Sequence, residues 1–555
     1  MKSPVIAIGL DSAEPRVIEK WLDSGKLPLM NRVREEGTYG RLENFDGFSA
    51  ETPWTTFISG CSPKTTGYWS PLKFVEGTYG VKTLAAYDYK DYPPFYANPD
   101  LRVAVFDVPQ VRPDKRVNGI QVGAWGAHSP QVPQSSIPEG LYDEIISKYG
   151  PHPALHRDYC VCVDLKTTLA LEPTLKTGIE RRGAVCHDLL KKEPWDLFMT
   201  VFGEAHAAGH NFWHMSQPEH PLYEHFSKKV SHDPMLASFE AMDTAMDNIL
   251  KAAPDNANIV IFSAHGMQPN TMDLPSATFL PEFMYRFSFP GKTALLAGEY
   301  GTPVPPHITQ MEHSYWERHV WNTKTDSTAL QRFLRKVVHN RLIKYLEPFF
   351  EDVSGTKDLI PPVTLASRSR VVAFEPASWY VPLWPQMKAF ALPSFSEGYI
   401  RINLKGREPQ GIVDPEDYDS LCNEIIEKLK TLKCARTGVT MVRDAIRTRD
   451  SAADRDPKRP DADIVILWQE DYASDVCESP EFGRIGPAPH YRSGSHRPEG
   501  FIMASGPNVH ANGESFYGHA LDIAPTILSL MNAPIPEHLE GKPLEFAQQA
   551  SATHG

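Results

Sequence analysis

Short and continuously apolar runs recur along the chain, and segments with helical periodicity separate them. Runs with so few polar positions are typical of strands that are buried on both faces, as in a parallel sheet. We predict such strands over residues 4–10, 102–108, 119–122, 195–202, 258–263, 462–468 and 501–505. The first of these runs stops at Asp11 with no small-residue cleavage site after it, so it reads as a strand rather than a signal peptide.

Between these runs, apolar residues recur at the spacing of amphipathic helices. The predicted helices cover residues 14–24, 27–36, 53–59, 239–252, 327–345, 417–432 and 522–531. Strands that alternate with helices predict an α/β fold with a doubly wound, mostly parallel sheet flanked by helices. Residues 273–400 are rich in proline and aromatic residues and have few clean strands. They are therefore predicted to be an inserted cap between a first core part, 1–272, and a second core part, 401–555.

Composition and charge narrow the class of partner. The 555 residues include 56 basic and 69 acidic side chains, a net charge of −13, which argues against a nucleic-acid surface. We predict a small-molecule substrate, and if it is anionic, it must be held locally by a metal or a few arginines. No apolar run approaches the ~20 residues of a membrane span, so no membrane partner is predicted. The seven scattered cysteines favour reduced thiols and a cytoplasmic protein. Oligomeric state has no signature in the sequence.

The first candidate for chemistry is Asp11, which ends the first predicted strand. Open α/β sheets bind ligands at the carboxyl edge of their strands, so a carboxylate there is well placed. The alternative is that Asp11 caps the helix that begins near Pro15.

The second candidate is the segment EAHAAGH, residues 204–210, which follows another buried run. His206 and His210 are four residues apart and share one face of a helical turn, where two imidazoles can hold one zinc ion. The glutamate of the HExxH metalloprotease motif is absent. The alternative is a run of surface histidines that also includes His214.

Further histidines follow or precede other apolar runs. His265 ends one run, and Gly266 after it permits a tight turn. His496 and Arg497 lie in a loop rich in glycine and serine just before another run, where Arg497 could clamp an anion. Each could be structural when taken alone. Because corresponding ends of parallel strands lie at one edge of a sheet, Asp11 and these histidines should lie close together. Their combination predicts a metal centre. Imidazole ligands favour zinc and leave manganese or iron open.

The order of these motifs resembles the alkaline phosphatase superfamily, in its type I phosphodiesterase and nucleotide pyrophosphatase branch. The resemblance spans most of the chain. It rests on IGLDSAEP near the start, TPWTTFISGCSPKTTGYW, RINLKGREPQGIV, SHRPEGFIMASGP, and ALDIAPTILSLMNAPIPEHLEGKPL near the end.

The resemblance implies the superfamily fold and a site with two zinc ions. One ion takes the first-strand Asp, the nucleophile, and the Asp and His of a (S/T)DHG turn. The other takes the Asp and His of a DxxGH motif and a late His. The nucleophile forms a covalent phospho-enzyme that water releases. The residues that match ligand positions are Asp11, His210, His265 and His496.

The chain departs from this pattern at two carboxylates. Ala264 stands where the DHG turn has Asp, and His206 stands where the DxxGH motif has Asp. Two metals held by Asp11 and neutral imidazoles would leave excess positive charge. We therefore predict one firm metal on His206, His210 and His496. Asp11, His265, Glu51 and Thr52 would form either a weaker second metal site or an acid/base set.

The nucleophile is also not fixed by the pattern. Thr52, immediately before Pro53 at a helix start, is favoured, and Glu51, Ser49 or a metal-activated water are the alternatives. Trp54 is predicted to line the substrate pocket, with a place in the buried core as the alternative. Arg497, with Arg492 as a second candidate, is predicted to neutralise substrate charge.

Three functions remain open at this point. The favoured one is a metal-dependent hydrolase of a small-molecule phosphate ester, a diester in particular, or of a phosphonate. The second is a one-metal enzyme of this fold that acts on a non-phosphate bond as a hydrolase, lyase or transferase. The third is a non-catalytic member that binds a ligand through the same site.

Overall fold

The computed structural model describes most of the chain. The described residues are 3–47, 52–83, 91–126, 132–155, 162–295, 297–310, 329–338, 376–394, 396–470, 472–510 and 515–547. Ser49 and Glu51, two of the predicted nucleophile candidates, lie outside them.

The strands form one large sheet and several small ones. In chain order they are β1 (Val5–Leu10), β2 (Thr38–Glu43), β3 (Leu72–Phe74), β4 (Val81–Thr83), β5 (Val103–Phe106), β6 (Gly119–Gly123), β7 (Ser135–Ile137), β8 (Leu197–Phe202), β9 (Asn258–Ser263), β10 (Gly266–Pro269), β11 (Ala297–Gly298), β12 (Ala389–Leu392), β13 (Gly398–Ile402), β14 (Lys433–Cys434), β15 (Val442–Arg447), β16 (Ile464–Trp468), β17 (Cys477–Ser479), β18 (Gly483–Ile485), β19 (Gly494–Arg497), β20 (Gly500–Ser505) and β21 (Phe516–His519).

Helices lie between these strands. They are α1 (Pro15–Asp23), α2 (Pro28–Glu36), α3 (Pro53–Ser59), α4 (Pro63–Thr66), α5 (Leu141–Tyr149), α6 (Leu165–Lys192), α7 (Glu204–Ser216), α8 (Tyr223–Phe226), α9 (Pro234–Leu250), α10 (Leu280–Ser288), α11 (Ala329–Val337), α12 (Tyr418–Leu429) and α13 (Ile523–Leu530). Five of them begin with proline, whose missing N–H and fixed φ suit the first helical position. No helix in the described part of the chain has the length and apolar character needed to cross a membrane.

The large sheet has nine strands in the order β21-β2-β20-β9-β1-β8-β5-β6-β7. Its centre is parallel, because β1 pairs in parallel with both β8 and β9, and β5 pairs in parallel with β6 and β8. β20 and β7 run antiparallel to their neighbours. Every residue of β1 and β8 is buried, as expected for strands covered by helices on both faces. The predicted α/β fold class with a mostly parallel, helix-flanked sheet is confirmed.

Residues from the middle of the chain form a second unit with its own apolar core. It contains the antiparallel sheets β12-β13-β16-β15 and β11-β18-β17-β14, with α10 and α12 packed on them. The boundary predicted at residue 400 falls inside β13, and the run 462–468 forms β16 of this unit rather than a strand of the main sheet. A strand buried on both faces fits either sheet, so the hydrophobicity of the run 462–468 alone did not predict to which sheet it belongs.

Candidate metal centre

The helix that follows β8 carries two of the predicted metal ligands. All thirteen residues of α7 are buried, including His206 and His210. The two side chains lie one turn apart on the same face, and their Nε2 atoms are 2.9 Å apart. The helical spacing therefore places both imidazoles at one point, at the carboxyl end of β8.

A two-stranded ribbon brings the third imidazole to this point. β10 begins directly after His265 and pairs with β19. In this pair, Met267 of β10 lies opposite His496 of β19. His496 is thus on a strand, whereas the sequence predicted a loop. Its Nε2 atom is 3.0 Å from Nε2 of His210. The segment forms a strand because its backbone groups pair with β10. Its content of glycine and serine did not predict this pairing.

Two glycines allow α7 and β19 to approach closely. A Cβ atom at Gly494 would lie only 2.4 Å from the carbonyl oxygen of Gly209, so any other residue would force the two elements apart. Next to this contact, the backbone N–H of Ser493 donates to the carbonyl of His210 at 2.8 Å. Close packing at these two positions sets the distance between His210 and His496.

The hydrogen bonds of His210 fix its tautomer. Nδ1 lies 2.6 Å from the carbonyl oxygen of Gly494, which can only accept, so Nδ1 carries the proton and Nε2 has a lone pair. Three nitrogen atoms surround this lone pair at 2.9–3.0 Å, from His206, His496 and Arg492. One lone pair cannot accept well from three donors, whereas a cation can share three imidazoles. The three side chains therefore fit a metal ion, and three imidazoles suit zinc.

Asp11 and His265 lie beside this cluster. The ring centroids of His265 and His496 are 4.9 Å apart. Nε2 of His265 is 2.8 Å from the hydroxyl of Ser12 and 3.7 Å from Oδ1 of Asp11. The indole N–H of Trp54 donates to the same Oδ1 at 2.8 Å. The structure therefore brings a carboxylate, a hydroxyl and a fourth imidazole together next to the three clustered imidazoles.

The predicted nucleophile region is the start of α3. Thr52 immediately precedes Pro53, the first helical residue, and is 1% exposed. Trp54, predicted to contact substrate, is buried against Phe57 and Phe262, and its indole N–H donates to Asp11.

Arg497 lies among carboxylates rather than alone. Its guanidinium nitrogens are 3.6 Å from Glu14, 3.8 Å from Glu470 and 4.0 Å from Glu499. Burial raises the pKa of Glu14 to about 7, although the charge of Arg497 acts in the opposite direction. Glu14, three residues after Asp11, is thus a second buried carboxyl near the site that the sequence did not single out.

Arg492 contacts the cluster directly. Its Nη1 is 3.0 Å from Nε2 of His210, and Asp273 accepts from its Nε and Nη2, both at 2.9 Å. Asp273 was not predicted, because nothing local in the sequence links it to an arginine 219 positions away. Asp273 thus fixes the guanidinium of Arg492 at the edge of the three imidazoles.

A buried ionic network supports the start of α7. Glu204, the first residue of α7, accepts from Nε of Arg182 at 3.1 Å and lies 3.0 Å from Nε2 of His152. Nη2 of Arg182 donates to Asp107 at 2.8 Å. Burial alone would raise the pKa of Glu204, but Arg182 and His152 outweigh it and hold the pKa below its ordinary value. Glu204 is therefore an anion that anchors the ligand-bearing helix.

Behind the cluster lies a second set of imidazoles that sequence analysis did not connect. His214, His220 and His490 are buried, with ring centroids 5.9 Å apart for the first two and 5.4 Å for the last two. Burial lowers the pKa of His214 to about 3 and that of His490 to about 4, and it lowers the pKa of His220 well below its ordinary value. These imidazoles are neutral in the folded protein at neutral pH.

Acidification is expected to destabilise the protein through this set. Below pH ~6.5 the unfolded chain protonates His214 and His490, whereas the folded chain does so only near pH 3 and pH 4. Their contribution to stability is thus complete above pH ~6.5 and is lost as the pH falls, by roughly 4 kcal/mol between pH 7 and 5. Urea unfolding at both pH values checks this expectation.

The double variant His214→Gln/His490→Gln separates the contribution of these imidazoles to the loss of stability from the contribution of titrating carboxylates. It should lose less stability than the wild type between the two pH values, while the exposed-site control His510→Gln should behave as the wild type. An equal loss in the double variant would show that these imidazoles are not responsible.

Comparison with known proteins places the chain in a family. Residues 5–285 match the model of the type I phosphodiesterase / nucleotide pyrophosphatase family. Among curated proteins, no relative matches.

Several solved structures resemble the chain over nearly its whole length. Phosphonoacetate hydrolase from Sinorhizobium meliloti 1021, in complex with phosphonoformate, has 14% identity over 96% of each chain and a TM-score of 0.46. Murine ectonucleotide pyrophosphatase / phosphodiesterase 5, in complex with AMP, has 10% identity over 97% of each chain and a TM-score of 0.46. The alkaline phosphatase PafA has 12% identity over 98% of this chain and 99% of its own, with a TM-score of 0.47.

The family match contains β1 with Asp11, α7 with two imidazoles, and the turn at His265. It covers just over half of the 555-residue chain. The family that the motifs predicted is confirmed: this chain belongs to the type I phosphodiesterase / nucleotide pyrophosphatase family.

Proposed function

We propose that this protein is a metal-dependent hydrolase of a small anionic phosphate ester, a diester in particular, or of a phosphonate. The observation that carries the proposal is the convergence of His206, His210 and His496 on one point, with the lone pair of His210 fixed there by its bond to Gly494. Membership of a phosphodiesterase family supports phosphoester chemistry.

Zinc, or manganese or iron in its place, would supply Lewis-acid polarisation of a phosphoryl oxygen when bound to the three imidazoles. Arg492 is held by Asp273 with its Nη1 toward the cluster, so it can donate to an anionic substrate oxygen and offset its charge. Thr52 is the proposed attacking group. His265 is within hydrogen-bond reach of Ser12 and can accept or return a proton beside Asp11.

A second candidate is a one-metal enzyme that acts on a non-phosphate bond. The observation favouring it is the residue before His265, which is Ala264 and offers no carboxylate. Oδ1 of Asp11 is already an acceptor for Trp54. With Ala264 and His206 at two carboxylate positions of the family pattern, a second metal ion would have fewer anionic ligands than that pattern supplies.

Two measurements on the purified protein distinguish these candidates. The first is metal content per chain, and the second is hydrolysis of bis(p-nitrophenyl) phosphate, p-nitrophenyl phosphate and phosphonoacetate. We expect bound zinc and turnover of at least one of the three compounds. Bound metal without turnover of any of them would favour the non-phosphate candidate, and no bound metal would contradict both.

The role of Thr52 is tested by a matched pair of substitutions. Thr52→Val keeps the shape and removes the hydroxyl, so kcat should fall by about a hundredfold or more if Thr52 attacks. Thr52→Ser keeps a hydroxyl and should retain activity within about tenfold. If Thr52→Val is as active as the wild type, then Thr52 is not the nucleophile, and the one-metal candidate gains support.

We also propose a reducing, cytoplasmic location. The described cysteines are buried free thiols. Cys434 and Cys477 lie opposite each other on paired strands, and neither forms a disulfide.

A further inference from the structure

A cavity in the second unit has a charge opposite to that of the whole protein. It has a volume of about 500 Å³ and is lined by eight lysine and arginine side chains and four carboxylates, in a chain whose net charge is −13. The β3–β4 hairpin, the sheet that contains β13, and the loop 454–461 form its walls. None of the residues of the imidazole cluster lines it. We call it the basic cavity.

Buried ion pairs form the inner wall of the cavity. Arg401, Arg407 and Arg449 share two buried carboxylates, those of Glu408 and Asp463, at 2.6–3.4 Å. A third carboxylate, that of Asp454, lies 4.0 Å from Arg449, so the three guanidinium groups face three carboxylates. The positive charge without an ionic partner therefore lies on the rim of the cavity.

The positive charges of Arg401 and Arg407 repel each other, but Asp463 and Glu408 outweigh this effect at Arg407 and raise its pKa. Burial and the neighbouring charge of Arg407 lower the pKa of Arg401. The guanidinium of Arg401 lies over the ring of Phe74 at 4.4 Å from its centroid, so this face of the group is shielded from water. An anion in the cavity would favour the charged form of Arg401, which lines it.

The rim adds cations that have no ionic partner. Lys82, Arg455 and Lys458 are exposed, and none of them lies within 4.0 Å of a carboxylate among the described residues. They come from two different walls, β4 and the loop 454–461, and face the same cavity. Unpaired cations on opposite sides suit a ligand with several separated negative charges rather than one.

We propose that the basic cavity binds an oligophosphate, a small molecule with several linked phosphate groups, separately from the imidazole cluster. Guanidinium and ammonium groups match phosphate oxygens in charge and hydrogen-bond geometry. The volume is within the range of small-molecule sites, roughly 300–1,000 Å³. The ligand is either a free inorganic chain or the phosphate chain of a nucleotide, and both carry the same recognised groups.

Calorimetric titration of the purified protein with inorganic triphosphate and with ATP tests the proposal. Arg455→Glu/Lys458→Glu should weaken triphosphate binding by more than about tenfold, because two attractive contacts become repulsive. Lys82→Glu, on the opposite wall, should weaken it as well. The control Lys292→Glu/Lys433→Glu changes the charge equally at exposed positions outside the cavity and should alter the affinity by less than about twofold.

The variant His210→Ala separates this site from the proposed active site, since it should bind triphosphate as the wild type does. Equal affinity for triphosphate and ATP would identify the phosphate chain as the whole ligand, and tighter binding of ATP would add contacts to the nucleoside. No binding by the wild type at millimolar concentration, equal weakening by the control, or loss of binding in His210→Ala alone would each overturn the proposal.

Discussion

Replacing His210 by alanine is expected to remove the bound metal and to lower hydrolytic activity by at least about a thousandfold. His210 is the centre of the cluster, because its Nε2 is 2.9 Å from Nε2 of His206 and 3.0 Å from Nε2 of His496. The hydrogen bond from its Nδ1 to the carbonyl of Gly494 also fixes its tautomer. Metal content measured by mass spectrometry, together with the hydrolysis rate, checks this result.

His510→Ala, at an exposed imidazole outside the cluster, is the matched control and should leave both quantities unchanged. His206→Ala should resemble His210→Ala in direction, with a smaller loss of metal, because His206 lies at the edge of the cluster. Full activity in a metal-free His210→Ala protein would contradict the proposed function.

Replacing Arg182 by methionine is expected to lower the free energy of unfolding by about 3–5 kcal/mol. The side chain of Arg182 is fully buried between Asp107 and Glu204, and its guanidinium also lies 5.3 Å from the ring centroid of Trp125. Without the arginine, two carboxylates would share a buried site with no guanidinium between them. Urea unfolding of the wild type and the variant at pH 7 measures the loss.

An exposed ion pair of the same type is the control. Arg32 donates to Asp247 at 3.1 Å, but the side chains are 53% and 33% exposed. Arg32→Met should therefore cost less than about 1 kcal/mol. If Arg182→Met costs no more than Arg32→Met, the network around Glu204 does not stabilise the fold, and its role as the anchor of α7 is wrong.

The apolar runs of the sequence predicted the central strands of the main sheet, whereas the outer strands β2, β7 and β21 were not predicted. The strands 4–10, 195–202 and 258–263 became the parallel neighbours β1, β8 and β9 because period and length are local properties. The same criterion misplaced 462–468, which belongs to the second unit. A hydrophobic run predicts that a strand is buried, but it does not predict to which sheet the strand belongs.

The candidate site was predictable where residues are close in sequence. The spacing of His206 and His210 placed both on one helical face, and their Nε2 atoms do meet. Arg492 was one of two arginines considered, but its partner Asp273 was not, because their contact joins positions 219 apart. Glu14 was overlooked for another reason: its raised pKa comes from burial, which no motif encodes.

The sequence by itself determined the family, the α/β class and the pair of histidines on α7, because motif order, periodicity and helical spacing act between near neighbours in the chain. Only the tertiary structure decided which other groups meet that pair. The close approach of Gly209 and Gly494 brings His496 and Arg492 to the cluster, and the carbonyl of Gly494 selects the tautomer of His210. Such contacts depend on how distant segments pack, and packing is a property of the whole fold.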